Sequence, residues 1–430
     1  MAFDNEELNK RREERKQEKQ LYNSQMRLLK IGAVATAVVM VFCLVAILIA
    51  QGVINAPKPP ENNQAEMDAT GSVPTPETGA PTEPVKDQVI HFVAGGNINI
   101  TDDLVNSGAT VSGYDYGNVF LDISALLSGG DLTAVNFEGN IYGNVYGTET
   151  ASAPAQMMTA LRNAGIDLVQ TANSFTNYNG ILGLRSTLDS IRSAGMEPVG
   201  SYADSADFEK SRGFVIREVN GIRIAIVAFT KGMNGKGLPA NSEDCVNLLY
   251  TDYATTYQNV DKEGISAILQ DIALEKPDVT IALLHWGSRE SDKVSKTQEQ
   301  IRDLLLAGGV DAIIGTHPYY VQKVDFDAKW GTVVAYSLGD LLSDGKKGST
   351  KYSILLDLEI TKSSQTGTVK ITGVDYVPVY HVMEAGNHRL LRIREAIYAY
   401  ENNFLNKVSQ ETYEAMKYAL ERVEARVNGT

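Results

Sequence analysis

Three side chains that could bind a metal ion or transfer a proton lie at the ends of apolar runs. Glu138 ends one run, His285 ends a second, and His317 closely follows a third. Short apolar runs are typical of strands buried on both faces, and open α/β sheets bind ligands beyond the carboxyl ends of such strands. Imidazole and carboxylate groups suit general acid–base chemistry or a divalent metal ion. These three residues are therefore our catalytic candidates.

Amide and carboxylate side chains near other strand ends form a second group of candidates. Asn97, Asn136 and Asn173 each follow or end an apolar run, and Asp340 follows another. Residues that are remote in sequence can converge on one cleft when all of them lie at strand ends. We predict that these four bind substrate and that Trp286 lines the same pocket.

A repeated pattern of helix, Ala-Gly and apolar strand must position these candidates. It occurs at 162–169, 192–199 and 306–314. Glycine ends a helix readily in the left-handed region, and the apolar residues after it form the next strand. Ser295 and Gln298 predict a capped helix between the two histidines. The pattern predicts an α/β protein, with further strands at 91–94, 133–136, 214–217, 222–228 and 354–360.

Composition excludes some functions. The chain has 430 residues and a formal net charge of −14. Without a basic surplus to neutralise phosphates, nucleic acid is not an expected partner. Cys43 lies in an apolar run near the N-terminus, which leaves Cys245 alone, so no disulfide is expected within the main domain.

The first 87 residues predict a membrane-anchored protein. Residues 1–30 are charged, 31–51 are long and apolar enough for a single transmembrane helix, and 52–87 form a linker rich in Pro, Thr and Glu. Basic residues precede the apolar run. The positive-inside rule therefore places the N-terminus in the cytoplasm and the main domain outside the cell membrane.

We divide the rest of the chain into an extracellular domain, 88–385, and C-terminal helices, 386–430. Five apolar residues of the tail fall on one helical stripe, namely Tyr413, Met416, Leu420, Val423 and Val427. Packing on the chain's own domain is the expected role of this stripe, and a seam for self-association is the alternative.

Six segments together resemble the CapA family of capsule and poly-γ-glutamate synthesis proteins. The resemblance covers roughly 89–380 and keeps the order and spacing of the family's motifs. The segments are Phe92–Ile98, Asp131–Gly139, Asn173–Thr176, Leu284–Gly287, Gly315–Tyr319 and Tyr336–Asp340. The resemblance implies a metallo-dependent phosphatase-like fold, in which a sandwich of two sheets is flanked by helices and the cleft lies at the strand ends.

The chain departs from the family at positions that would bind metal. Asn97 stands where the family has Asp, Ser174-Phe175 replaces Asn-His, and Tyr319 replaces a second His. Two metal ions need several anionic or imidazole ligands. The residues that remain, Glu138, His285 and His317, could hold at most one divalent ion. Asp340 could restore the charge lost at Asn97 if it points inward.

These observations lead to one function and two alternatives. The resemblance implies a role in the synthesis or export of a surface polymer such as poly-γ-glutamate, together with polymer-synthesising membrane proteins. The lost ligands favour binding of this anionic polymer, or of an envelope substrate, without turnover. The first alternative is a single-metal or metal-free hydrolase of a phosphoester or amide, so whether the protein is an enzyme stays open. The second is a non-catalytic envelope scaffold.

Overall fold

The computed structural model describes residues 86–343, 345, 347–384, 386–404 and 408–430. The predicted cytoplasmic segment, the anchor and nearly all of the linker lie outside these residues. Among the helices that are described, none combines the length and hydropathy needed to cross a bilayer. The described residues all fall within one unit of the chain, Glu83–Thr430.

The first sheet has eight strands within the described residues. The strands on one side of this sheet are parallel, and those on the other side form an antiparallel meander. The strand β13 (Asp340–Leu342) pairs in parallel with the end of β1. The remaining order is β16 (Asn387–Arg392), β15 (Val369–Glu384), β14 (Tyr352–Lys362), β1 (Gln88–Asn99), β4 (Leu132–Glu138), β5 (Leu168–Gln170) and β6 (Glu197–Val199).

The second sheet has six strands in the described part of the chain, with four parallel strands between two antiparallel edges. Its order is β11 (Val324–Asp327), β12 (Thr332–Ala335), β10 (Ala312–Thr316), β9 (Val279–His285), β8 (Ile222–Thr230) and β7 (Phe214–Val219). A small hairpin joins β2 (Ala109–Thr110) and β3 (Gly113–Tyr114). The five further strands predicted from the sequence are all present, and each is longer than predicted.

Helices connect the parallel strands. Ser295 and Gln298 form the predicted capping box at the start of the helix between β9 and β10. The helices are α1 (Asp102–Ser107), α2 (Gly117–Phe120), α3 (Ser124–Leu127), α4 (Gln156–Asn163), α5 (Gly180–Ser193), α6 (Ser205–Ser211), α7 (Lys262–Glu275), α8 (Lys296–Ala307), α9 (Ile393–Glu401) and α10 (Gln410–Val427).

The two sheets pack face to face because their strands alternate inward and outward residues. Phe92 of β1 and Ile226 of β8 belong to one central core between the sheets. Their neighbours face away from it, Val93 toward α4 and Ala225 toward α7 and α8. The α/β prediction is confirmed, and the layers run helix, sheet, sheet, helix. The parallel strands of each sheet carry their carboxyl ends to a common edge, where the candidate residues lie.

The C-terminal segment is part of this core. It begins with strand β16, so the segment that we assigned to helices alone contributes to the first sheet. Met416 and Val423 of α10 are fully buried in the central core, and Leu420 packs against it. The stripe therefore packs on the chain's own domain, as expected, rather than serving as a seam for self-association.

Candidate functional site

The structure brings Glu138, His285 and His317 together from both sheets. Glu138 ends β4, His285 ends β9, and His317 directly follows β10. One ligand atom from each of the three lies within 4.8 Å of the others. The imidazole rings of the two histidines are 4.4 Å apart, centre to centre. All three side chains are buried.

Hydrogen bonds fix the tautomer of His285. The backbone N–H of Ser174 donates to Nε2 over 3.1 Å, and the Ser174 hydroxyl lies 2.9 Å from the same atom. Since a backbone N–H can only donate, Nε2 must accept. A neutral His285 therefore carries its proton on Nδ1, which faces Glu138 Oε1 at 3.4 Å.

The protonation states of this cluster follow from its burial. Burial raises the pKa of Glu138 to about 8, although Arg289 and Asn136 act in the opposite direction. Burial also lowers the pKa of His285 and of His317 well below the usual value, and the nearby Lys231 and Arg289 lower both further. At neutral pH the cluster therefore consists mainly of a protonated carboxyl and two uncharged imidazoles.

The predicted amide residues form a chain of buried hydrogen bonds. The amide of Asn173 donates to Asn136 Oδ1 over 3.0 Å, that of Asn136 donates to Asn97 Oδ1 over 2.7 Å, and that of Asn97 donates to Asp340 Oδ1 over 2.7 Å. Strand register brings them together, because Asn97 pairs with Asn136 on one side and with Asp340 on the other. Asp340 thus points inward, and direct hydrogen bonds link the four side chains.

Two polar atoms of the buried cluster have no hydrogen-bond partner among the described residues. They are Glu138 Oε2 and His317 Nδ1. His317 also adopts a φ of 91°, which a side chain with a Cβ rarely takes. Backbone strain and unpaired buried atoms of this kind concentrate at functional sites.

Trp286 does not line this pocket, which corrects our prediction. Its indole N–H donates to the carbonyl of Tyr336 over 2.9 Å, and the two rings stack 5.8 Å apart. The ring is fully buried in the outer core with Ile301 and Leu305 of α8. Successive residues of a strand face opposite sides, so the neighbour of an inward-facing His285 points outward.

Sequence reasoning missed two cations at the site, Lys231 and Arg289. The Lys231 ammonium donates to the carbonyl of Gly287 over 2.7 Å, and Arg289 donates to Asn234 Oδ1 over 2.7 Å. Lys231 directly follows the apolar strand β8, so the rule that selected the histidines could have found it. Arg289 lies four residues after His285 in the loop that leaves β9.

The other histidines lie apart from the cluster. His91 is half-exposed and contacts Asp357 at 3.0 Å. His381 and His388 are buried together, with Nε2 of the first 3.0 Å from Nδ1 of the second. None of these three histidines contributes a donor atom to the cluster.

The charge around the cluster does not fit a resident divalent cation. The donor atoms of Glu138, His285 and His317 are close enough to share one ion. However, Nε2 of His285 accepts from the Ser174 backbone, so the remaining nitrogen, Nδ1, carries a proton that a metal ion would have to displace. Lys231 and Arg289 already supply two positive charges that act on both imidazoles. A doubly charged ion here would face repulsion with little anionic compensation.

Comparison with known proteins identifies similar chains. Residues 91–345 match the family model described as bacterial capsule synthesis protein PGA_cap. The chain is 27% identical over 255 residues to the capsule biosynthesis protein CapA of Bacillus anthracis, covering 58% of each chain. It is 24% identical over 265 residues to the PGA biosynthesis protein CapA of Bacillus subtilis, covering 60% of this chain and 65% of that protein. The matches thus span less than two thirds of either relative.

A more distant similarity exists to a solved structure. The calcineurin-like phosphoesterase YfkN from Bacillus subtilis superposes with a TM-score of 0.38 and 16% sequence identity. The superposition covers 78% of this chain and all of that one. This similarity is too distant to carry a conclusion about activity.

Proposed function

The chain belongs to the bacterial capsule synthesis protein PGA_cap family, and from this premise we propose that it binds an anionic surface polymer or an envelope substrate without turning it over. The polymer is of the capsule or poly-γ-glutamate type, and the protein acts in its synthesis or export. We further propose that residues 31–51 anchor the chain in the cell membrane, with the N-terminus in the cytoplasm and 88–385 outside. There it would meet polymer-synthesising membrane proteins.

The observation that carries the proposal is the buried amide chain. Asn97, Asn136, Asn173 and Asp340 lie at strand ends, and each is hydrogen-bonded to the next. Breaking this chain to hold an ion would leave buried polar groups without partners, at a cost of about 1–3 kcal/mol for each group. The arrangement favours a rigid support for a binding site over a metal-dependent catalyst.

A metal-free hydrolase is the second candidate, because Glu138 Oε2 and His317 Nδ1 are both unpartnered within the described residues. A carboxyl with a pKa of about 8 can donate a proton at neutral pH, and an uncharged imidazole can accept one. Glu138 would then act as general acid and His317 as general base toward a phosphoester or an amide.

Complementation separates these functions. In a bacterium that lacks the gene, surface polymer is measured after return of the full chain or of its Glu138→Gln and His317→Gln variants. The wild-type protein, purified in detergent, is also incubated with the polymer and with a phosphoester. We expect polymer on the surface to depend on the pocket and no hydrolysis to occur. Cleavage that is lost in Glu138→Gln would favour the hydrolase.

The scaffold alternative places function on exposed surfaces instead. Truncation of α10 would remove part of the core, so substitution of an exposed residue such as Tyr418, 56% exposed, is the better test. Loss of surface polymer in Tyr418→Ala, with full function in the pocket variants, would replace our proposal with the scaffold.

A further inference from the structure

A pocket of about 320 Å³ opens beside the buried cluster, and the metal interpretation leaves it unexplained. Lys231, Arg289, Ser174 and His317 contribute to its wall. The two cations that sequence reasoning missed therefore lie beside His317 of the cluster and beside Ser174, which bonds His285. The described residues that line this pocket include no Asp or Glu.

The two cations bind neutral groups. Lys231 donates to a backbone carbonyl and lies over the ring of Tyr257, with its ammonium 4.8 Å from the ring centre. Arg289 donates to an amide oxygen and lies over Tyr319 at 5.6 Å. Within the described residues, neither takes part in an ion pair. Burial lowers the pKa of the half-buried Lys231, and Arg289 lowers it further, so a bound anion would relieve an existing repulsion.

His317 adds an unpaired buried group to this wall. It is only 4% exposed, and its Nδ1 has no partner among the residues described. A neutral imidazole can carry its proton on Nδ1 and donate it to an anionic oxygen. Arg289 stands at the exposed mouth, where its guanidinium can pair with a carboxylate or a phosphate.

We propose that this pocket binds an oxyanion, a carboxylate or a phosphate, through Lys231, Arg289 and His317 without a metal ion. The inference rests on the proposed function and deepens it, since it names the group of the polymer or envelope substrate that the site holds. It also explains how a chain with net charge −14 could hold a polyanion. The anion meets a local positive pocket rather than the protein's average surface.

A neighbouring pocket limits the direction in which a bound polymer can extend. This second pocket, of about 460 Å³, shares Arg289 with the first, and its wall includes Asp102, Asp103, Glu290 and Asp340. These carboxylates would repel a second anionic group. A polyanion held at Arg289 should therefore extend away from this acidic wall.

Calorimetric titration of the full chain in detergent tests the proposal. The probes are a γ-linked glutamate oligomer of about ten residues and inorganic phosphate, each with and without a chelator. We expect binding that weakens with salt and ignores the chelator. Lys231→Met should weaken it at least tenfold, and Arg289→Gln should weaken it less, because Arg289 is exposed.

Lys236→Met is the matched control. Lys236 also donates to a backbone carbonyl over 2.7 Å and also lies over a tyrosine ring, at 4.1 Å, but it does not line the pocket. The Lys236→Met variant should bind both probes as tightly as the wild type does. Circular dichroism of each variant checks that the fold is retained.

Each outcome has a distinct meaning. Oligomer binding that survives Lys231→Met would overturn the pocket while the polymer function stands. Phosphate binding that is lost in Lys231→Met, without any oligomer binding, would support the pocket and count against the polymer. Binding that needs a divalent metal, or that falls equally in Lys236→Met, would overturn the proposed site. Failure to bind either probe would also overturn it.

Discussion

The two halves of the buried site differ in how fully their polar atoms are used. In the amide half, Asp340, Asn97, Asn136 and Asn173 form one continuous chain of hydrogen bonds. In the acid–base half, Glu138 and His317 each leave a buried atom without a partner among the described residues. Both halves lie at strand ends. The side chains of the amide half bind one another, whereas the acid–base half keeps polar atoms that a ligand could bind.

This difference shows that polar side chains at strand ends can serve two purposes. Neutral amides that are satisfied by their neighbours become part of the structure. The half that keeps unpaired atoms next to two cations retains the capacity to bind. The following experiments test that division, from the largest expected effect to the smallest.

Replacement of Glu138 by Gln should change the pH dependence of stability. The folded protein holds the proton up to about pH 8, whereas the unfolded chain releases it near 4.5. The free energy of unfolding of the wild type should therefore fall as pH rises through this interval, by on the order of 5 kcal/mol at about 1.4 kcal/mol per pKa unit. Urea unfolding from pH 4 to 9 measures it.

A glutamine side chain cannot ionise, so this fall should be absent in Glu138→Gln, which should exceed the wild type in stability at pH 9. Glu290→Gln provides the control, because Glu290 is an exposed partner of Lys347. It should follow the wild-type profile. Parallel profiles for Glu138→Gln and the wild type would show that the carboxyl is not held protonated.

Asn136→Ala should interrupt the hydrogen-bond chain of the amide half. It removes the donor to Asn97 and the acceptor of Asn173, so two buried groups lose partners. We expect a loss of about 3 kcal/mol in the free energy of unfolding. The exposed Asn428, which bonds only within its own helix end, serves as the control, and Asn428→Ala should cost less than about 0.5 kcal/mol. Equal losses of stability in Asn136→Ala and Asn428→Ala would contradict the structural role of the amide half.

Substitution of His285 and of His317 should lower the stability of the protein by different amounts. Nε2 of His285 accepts from the Ser174 backbone, so His285→Gln should leave that buried donor unpaired and cost about 2 kcal/mol. Within the described residues, His317 leaves Nδ1 unpaired and its backbone is strained, so His317→Gln should cost less than about 1 kcal/mol. Thermal or urea unfolding of both variants at pH 7 is the measurement. A greater loss at His317 would assign it a structural role instead.

The metal content of the full chain should be close to zero. Elemental analysis of protein purified without added metal, and again after soaking in manganese, zinc or magnesium, is the measurement. The side chains of Lys231 and Arg289 repel a divalent ion, and His285 would have to give up its Nδ1 proton to bind one. One ion per chain that is lost in His285→Ala would reverse this conclusion and favour a single-metal hydrolase.

Much of the fold and half of the site could be predicted from the sequence. Glu138, His285 and His317 end apolar runs, and buried parallel strands carry such residues to one edge. The sequence left open whether Asp340 points toward Asn97, because their contact depends on a register shift in β1 after Ala94 and on a three-residue strand. Such local irregularities leave no periodic signal in the sequence.

Two errors in our predictions for the site could have been avoided from the sequence alone. Trp286 was assigned by its closeness to His285 in the chain, although strand alternation sends neighbours to opposite faces. Lys231 and Arg289 were passed over because our search considered imidazole, carboxylate and amide side chains but not cationic ones. A search for every charged residue at a strand end would have found Lys231.

The pairing of β1 with β13 has a consequence for how the chain matures. Asn97 and Asp340 are 243 residues apart, and Gly96 passes so close to Gly339 that an added Cβ would lie 1.9 Å from its carbonyl oxygen. During synthesis, β1 is made long before its partners β13 and β14. Contacts of such long range form slowly and leave apolar strands exposed in the meantime. The site should therefore be among the last parts of the domain to form, so a nascent chain should acquire its ligand only when nearly complete.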